Sequence, residues 1–66
     1  MNANAGKLVI LLPYAIGQQV KIRAIDKVGR VYSINVCRDG LEYRVRWWNE
    51  EVISDAWMLP DEIEAA

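Results

Sequence analysis

The sequence contains no histidine, no phenylalanine and a single cysteine, Cys37. Without imidazole there is no conventional zinc site, no serine or cysteine triad and no histidine base. One cysteine can neither close an internal disulfide nor supply a Cys-x-x-Cys pair. Cys37 follows Val36 in an expected strand, so it reads as a buried structural thiol in a reducing compartment. Long apolar runs are also missing: the longest, Leu8-Val9-Ile10-Leu11-Leu12, is too short to span a bilayer. Preceded by Lys7, it has the opening of a signal peptide, but it stops at Pro13 without a small-residue cleavage site. A soluble, cytoplasmic protein with no membrane partner is expected. Adjacent carboxylates occur only in expected turns, as Glu50-Glu51 and Asp61-Glu62, where their side chains diverge into solvent. No catalytic residue, metal or cofactor is therefore expected, and the chain is not read as an enzyme.

What is present is apolar and aromatic. Of 66 residues, 53% are hydrophobic, with three Trp and three Tyr, which argues for a folded chain rather than a disordered one. A chain this short buries only about 60% of its extended surface, so its core is small. The net charge of −1 hides an asymmetry. All eight Lys and Arg lie within residues 7–49, against Asp26, Asp39 and Glu42, whereas six acids and no base follow from Glu50 onward. In a small fold these halves come together, and internal pairing accounts for this asymmetry better than a basic nucleic-acid stripe does.

The clearest strand is Glu42-Tyr43-Arg44-Val45-Arg46-Trp47-Trp48. Period two places Tyr43, Val45 and Trp47 on one side, and Glu42, Arg44, Arg46 and Trp48 on the other. Before it, Ile16-Gly17 reads as a turn, and Val20 to Ala24 as a strand with Val20, Ile22 and Ala24 inward. Asp26 to Gly29 follows as a turn in which Gly29 is free to take a positive φ. Arg30 to Cys37 forms the next strand, but Val31 is out of step with Ile34, a conflict that a β-bulge would repair. Arg38-Asp39-Gly40 then makes a tight connection. After the central strand, Val52 to Trp57 has two registers open to it. A loop at Asn49-Glu50 sets Val52 opposite Trp47 and Asp55 opposite Arg44. A one-residue slip turns Ile53 and Trp57 to the core, and their apolarity favours the slip. Met58 to Asp61 reads as a short turn, with one 3₁₀ turn allowed, and Glu62 to Glu64 as a last strand.

Five short strands separated by turn residues predict an all-β small barrel or sandwich. The expected core is Val20, Ile22, Val31, Ile34, Val45, Trp47 and Trp57. The order Ile16-Gly17-x-x-Val20-x-Ile22, Gly29-x-Val31-x-x-Ile34, Tyr43-x-Val45-x-Trp47, Trp57 and Glu62-Ile63 resembles the SH3-like small barrels, a group that includes Tudor, chromo-like and KOW-type modules. Within that group it is most similar to small phage- and prophage-encoded proteins. The resemblance covers residues 16–64 and departs from the pattern at Gln18, where an acid is usual, and at Glu50-Glu51, where a glycine is usual. It implies an SH3-like barrel of about five strands over residues 16–66. Residues 1–15 form an extension whose Leu8–Leu12 run is either an additional strand or a contact with a second copy.

Such a fold implies no single function, because its members bind peptides, methylated side chains, nucleic acids or one another. Tyr32, Tyr43, Trp47, Trp48 and Trp57 invite a cation cage, but in a chain without Phe they are needed first as core. Arg44, Arg46 and Trp48 share the solvent parity and form the candidate binding face. The function expected is a non-enzymatic binding or assembly module of phage or prophage type, acting through protein–protein contacts or self-association. The alternative is a nucleic-acid-binding accessory protein using the same three residues.

Overall fold

The computed structural model describes residues 11–66, and within them the period-two segments become five antiparallel strands. These are β1 (Gln19–Ile22), β2 (Lys27–Cys37), β3 (Gly40–Asn49), β4 (Val52–Met58) and β5 (Ile63–Ala65), with one 3₁₀ turn at Pro60–Glu62 between β4 and β5. The protein is all-β. Its single sheet has the order β4-β3-β2-β1-β5 and is open, with β4 and β5 as edges. The 3₁₀ turn carries the chain from one edge to the other, and the Arg23 amide donates to the Glu62 carbonyl at 3.0 Å. The Glu62 side chain accepts from the Leu59 amide at 2.8 Å and fixes the start of that turn. Among the described residues, no helix is long and apolar enough to cross a membrane. The expected extra strand or oligomer contact at Leu8–Leu12 lies outside the described residues except for Leu11 and Leu12, which are exposed and belong to no strand.

Alternation on β3 sets the core. Tyr43 and Val45 are fully buried, and Trp47 packs against the core from the rim. Val20 and Ile22 from β1, Val31 from β2, Met58 from β4 and Ile63 from β5 complete the buried set. Each such aliphatic side chain contributes about 1.5–3 kcal/mol by leaving water. Tyr14 seals one side, its ring meeting that of Tyr43 edge-on at 5.4 Å while its hydroxyl donates to the Ile63 carbonyl at 3.3 Å. The Tyr43 hydroxyl is buried without a hydrogen-bond partner among the described residues. Burial pushes its pKa up, and the nearby Tyr14 backbone offsets only part of that.

Four expectations are corrected. Ala24 is not inward but exposed, in a turn over Arg23–Asp26 whose Asp26 has φ 54° and pairs with Lys21 at 2.7 Å. Gly29 is not in that turn either. It lies in β2 opposite Trp47, buried, and an added Cβ would sit 2.6 Å from the Arg46 carbonyl oxygen. Close approach of β3, not a positive φ, explains the glycine. Cys37 is half-buried rather than buried. Trp57 is 42% exposed and outside the core, with Met58 in its place.

The last correction follows from the β3–β4 hairpin. Asn49 pairs with Val52, so the loop is Glu50-Glu51, and Trp47 faces Ser54, Trp48 faces Ile53, and Arg44 faces Trp57. Paired residues share a face of the sheet, so Ser54, Ala56 and Met58 turn inward and Ile53, Asp55 and Trp57 outward. Neither expected register holds: the slipped one turns the wrong residues inward, and the Asn49-Glu50 loop has the faces right but misplaces the pairs, Val52 lying opposite Asn49 and Asp55 opposite Arg46. Glu50 takes φ 58° to close the loop, a left-handed conformation that costs a non-glycine residue about 1 kcal/mol. Glu50→Gly should recover most of this, because Glu50 is exposed and its side chain makes no hydrogen bond or ion pair among the described residues. A melting temperature a few degrees above the parent's is the expected result.

The bulge is where the phase conflict placed it. Val31 pairs with Val45 and Ser33 with Arg44, leaving Tyr32 as the extra residue. Val31 and Ile34 can then both face the core although they lie three positions apart.

Candidate functional site

The sheet face opposite the core is built by the same alternation. Arg44, Arg46 and Trp48 share it, as their parity requires. Their surroundings differ. Trp48 is 63% exposed beside Ile53, Arg46 is exposed between Arg30 and Asp55, and Arg44 is half-buried between Ser33 and Trp57.

Arg44 is held on three sides. Its Nε donates to Asp55 Oδ1 at 3.1 Å, and its guanidinium carbon lies 5.5 Å from the Trp57 ring centroid and 5.8 Å from that of Tyr32. The hydrogen bond to Asp55 raises its pKa further, so the charge is permanent. Arg46 also lies over the Tyr32 ring, its guanidinium carbon 4.5 Å from the centroid. Tyr32 thus stacks with both arginines, and it can do so because the bulge turns it to this face.

This arrangement answers the cage reading. Tyr43 is core and Trp47 packs against it, while Tyr32 and Trp57 are already capped by the chain's own guanidiniums. A cationic ligand would meet two fixed positive charges at the rings meant to hold it. Cation recognition does not fit this face.

Beside Trp48 a groove of about 460 Å³ runs along the same end of the sheet. Ile16, Val28, Trp47 and Trp48 supply its apolar surface, and Arg30, Tyr32 and Arg46 its polar side. Arg30 lies directly opposite Arg46 across the β2–β3 pair and donates from Nη1 to the Gly17 carbonyl at 2.8 Å. Directly opposed like charges destabilise a strand pair, so this feature costs the fold something.

Sequence reasoning placed Arg44, Arg46 and Trp48 on one face, set Asp55 beside Arg44 only in the register it did not favour, and missed Tyr32, Arg30 and Trp57 as their neighbours. Tyr32 was accessible through the phase conflict at Val31, once the extra residue was assigned. Trp57 and Asp55 depended on the hairpin register. Cys37 stands apart at the end of β2. Its thiol donates to Glu42 Oε1 at 2.9 Å, and this bond, with burial and the carboxylate's charge, raises the pKa, so the group is a poor nucleophile. Among the described residues, no cluster of His, Cys, Asp and Glu could hold a metal ion. Comparison of the chain with protein-family models, characterised proteins and solved structures finds no match.

Proposed function

We propose that the chain is a non-enzymatic binding module of the SH3-like small-barrel type that engages a protein partner through the outer face of β2, β3 and β4. The observation that carries this reading is the exposed Trp48–Ile53 cross-strand pair beside a rigid arginine–aromatic cluster. Trp and Arg are the residues most enriched at binding hot spots, and side chains already held in place lose little entropy on binding. The bulged β2 and the 3₁₀ turn leading to a short β5 beside β1 support the SH3-like reading, and the motif order supports a phage or prophage type.

A second reading, nucleic-acid binding, draws on Arg30 and Arg46 facing each other beside Trp48. Against it weighs the fixed pairing of Arg44 with Asp55, with Glu50 and Glu51 at the end of the same hairpin.

The test is the triple variant Arg44→Ala, Arg46→Ala, Trp48→Ser. Its affinity for a partner captured by the parent chain should fall by at least about tenfold, the scale of one hot-spot side chain. The melting temperature should move only slightly, since none of the three belongs to the buried core. A melting loss large enough to account for the lost binding would make the face structural.

A further inference from the structure

The groove beside Trp48 has a composition that narrows what can fill it. Its apolar wall is formed by Ile16, Val28 and Trp48, all more than half exposed, with Trp47 behind them. Two guanidiniums, Arg30 and Arg46, stand at its polar side, and no acidic residue lines it. Neither arginine has an ion-pair partner among the described residues, the near carboxylate Asp55 being engaged by Arg44. Arg30 is anchored to the Gly17 carbonyl and Arg46 is stacked on Tyr32, so both charges are held in place before any ligand arrives. The fold therefore keeps two opposed positive charges beside an uncovered apolar surface. An anion placed between them would relieve the repulsion and form charge-assisted hydrogen bonds with a planar, preorganised donor set.

Resting on the protein-binding reading above, we propose that this groove takes an extended acidic segment of a partner protein, with a bulky apolar side chain against Val28 and Trp48 and a neighbouring carboxylate between Arg30 and Arg46. A peptide is favoured over a nucleic-acid strand because, among the described residues, the groove offers two cations without ion-pair partners rather than a track of them. Of the groove's rings, Tyr32 is already covered by Arg46, which leaves successive bases only the tryptophans to stack on. Further along the sheet, a polyanion would meet Asp55 and then the glutamates of the β3–β4 loop. A short segment with one or two carboxylates meets none of these obstacles.

The experiment selects short random peptides displayed on yeast against the full-length chain, then measures resynthesised peptides by fluorescence anisotropy and by amide and indole chemical shifts. Selected peptides should carry Asp or Glu within two positions of Leu, Ile, Phe or Trp. Changing that acid to its amide in the peptide should weaken binding roughly tenfold, as expected for a charge-assisted hydrogen bond lost without any change to the protein. Trp48→Ser should weaken it comparably, and the shifts should centre on Gly29 and the Trp48 indole. Peptides that lack an acid yet depend on Trp48 would overturn the proposed chemistry and leave the binding face standing. Peptides indifferent to Trp48, Arg44 and Arg46 would overturn both. Failure to enrich any peptide would overturn the proposal, and salt-sensitive binding of oligothymidine in that case would assign the groove to nucleic acid.

Discussion

Val45→Asp should leave the chain unable to fold. Val45 lies near the middle of β3 with no exposed surface, between Val31 on one side and Ala56 on the other. A carboxylate there loses its hydration and finds no base, because the cationic side chains of β3 all point to the opposite face. The alternative, a protonated acid, leaves buried oxygens unpaired and gives up the packing of the valine. A domain of this length has a net stability of only about 3–10 kcal/mol, and breaking a strand that is paired on both sides consumes most or all of that. The expected amide spectrum is collapsed, with no cooperative thermal transition. A well-dispersed spectrum would mean that β3 is not the centre of the core.

Gly29→Ala should also destabilise the fold, though it adds only a single methyl group. That methyl would lie 2.6 Å from the Arg46 carbonyl oxygen, 2.9 Å from Val45 Cγ1 and 3.2 Å from Trp47 Cβ. The nearest of these is backbone, so relief requires β2 and β3 to part where they are paired. Overpacking of this kind costs about 1–3 kcal/mol. A melting temperature lower by roughly 10 °C is the expected outcome for a domain this small. Because Gly29 also lines the groove beside Trp48, the variant should lose ligand affinity even at temperatures where it remains folded. An unchanged melting temperature would show that the two strands are further apart than described.

The parts of the fold legible in the sequence were those fixed by alternation. Tyr43, Val45 and Trp47 against Arg44, Arg46 and Trp48 follow from period two alone, and the misfit of Val31 with Ile34 located the bulge. Hairpin register was different in kind. No Gly or Asn marks the left-handed residue of the β3–β4 loop, because Glu50 occupies it, so neither register drawn from the sequence has the observed pairs, and the apolarity of Trp57 pointed to the wrong face. Apolarity misled there because a tryptophan on a solvent face can be covered by an arginine that is itself paired, as Arg44 covers Trp57. Gly29 failed for a similar reason. Beside Asp26 it looked like turn chemistry, whereas its role is the close approach of two backbones, which a one-dimensional pattern does not encode. The candidate groove was illegible because Ile16, Val28 and Arg30 reach it from parts of the chain that only the tertiary fold brings beside Trp48.

Tyr32 is supernumerary to the pairing of β2 with β3. On either side of it every partner is regular, from Gly29 opposite Trp47 to Val31 opposite Val45, and again from Ser33 opposite Arg44 to Cys37 opposite Gly40. Excising this one codon would let Ser33 follow Val31 directly, with Ile34 still inward and each cross-strand partner retained. Without that residue Arg46 would lose its ring and Arg44 would keep only that of Trp57. The arginine–aromatic cluster of the outer face thus rests on a residue that the strand pairing does not need, whereas the inward row of Val31, Val45 and Ala56 is set by that pairing.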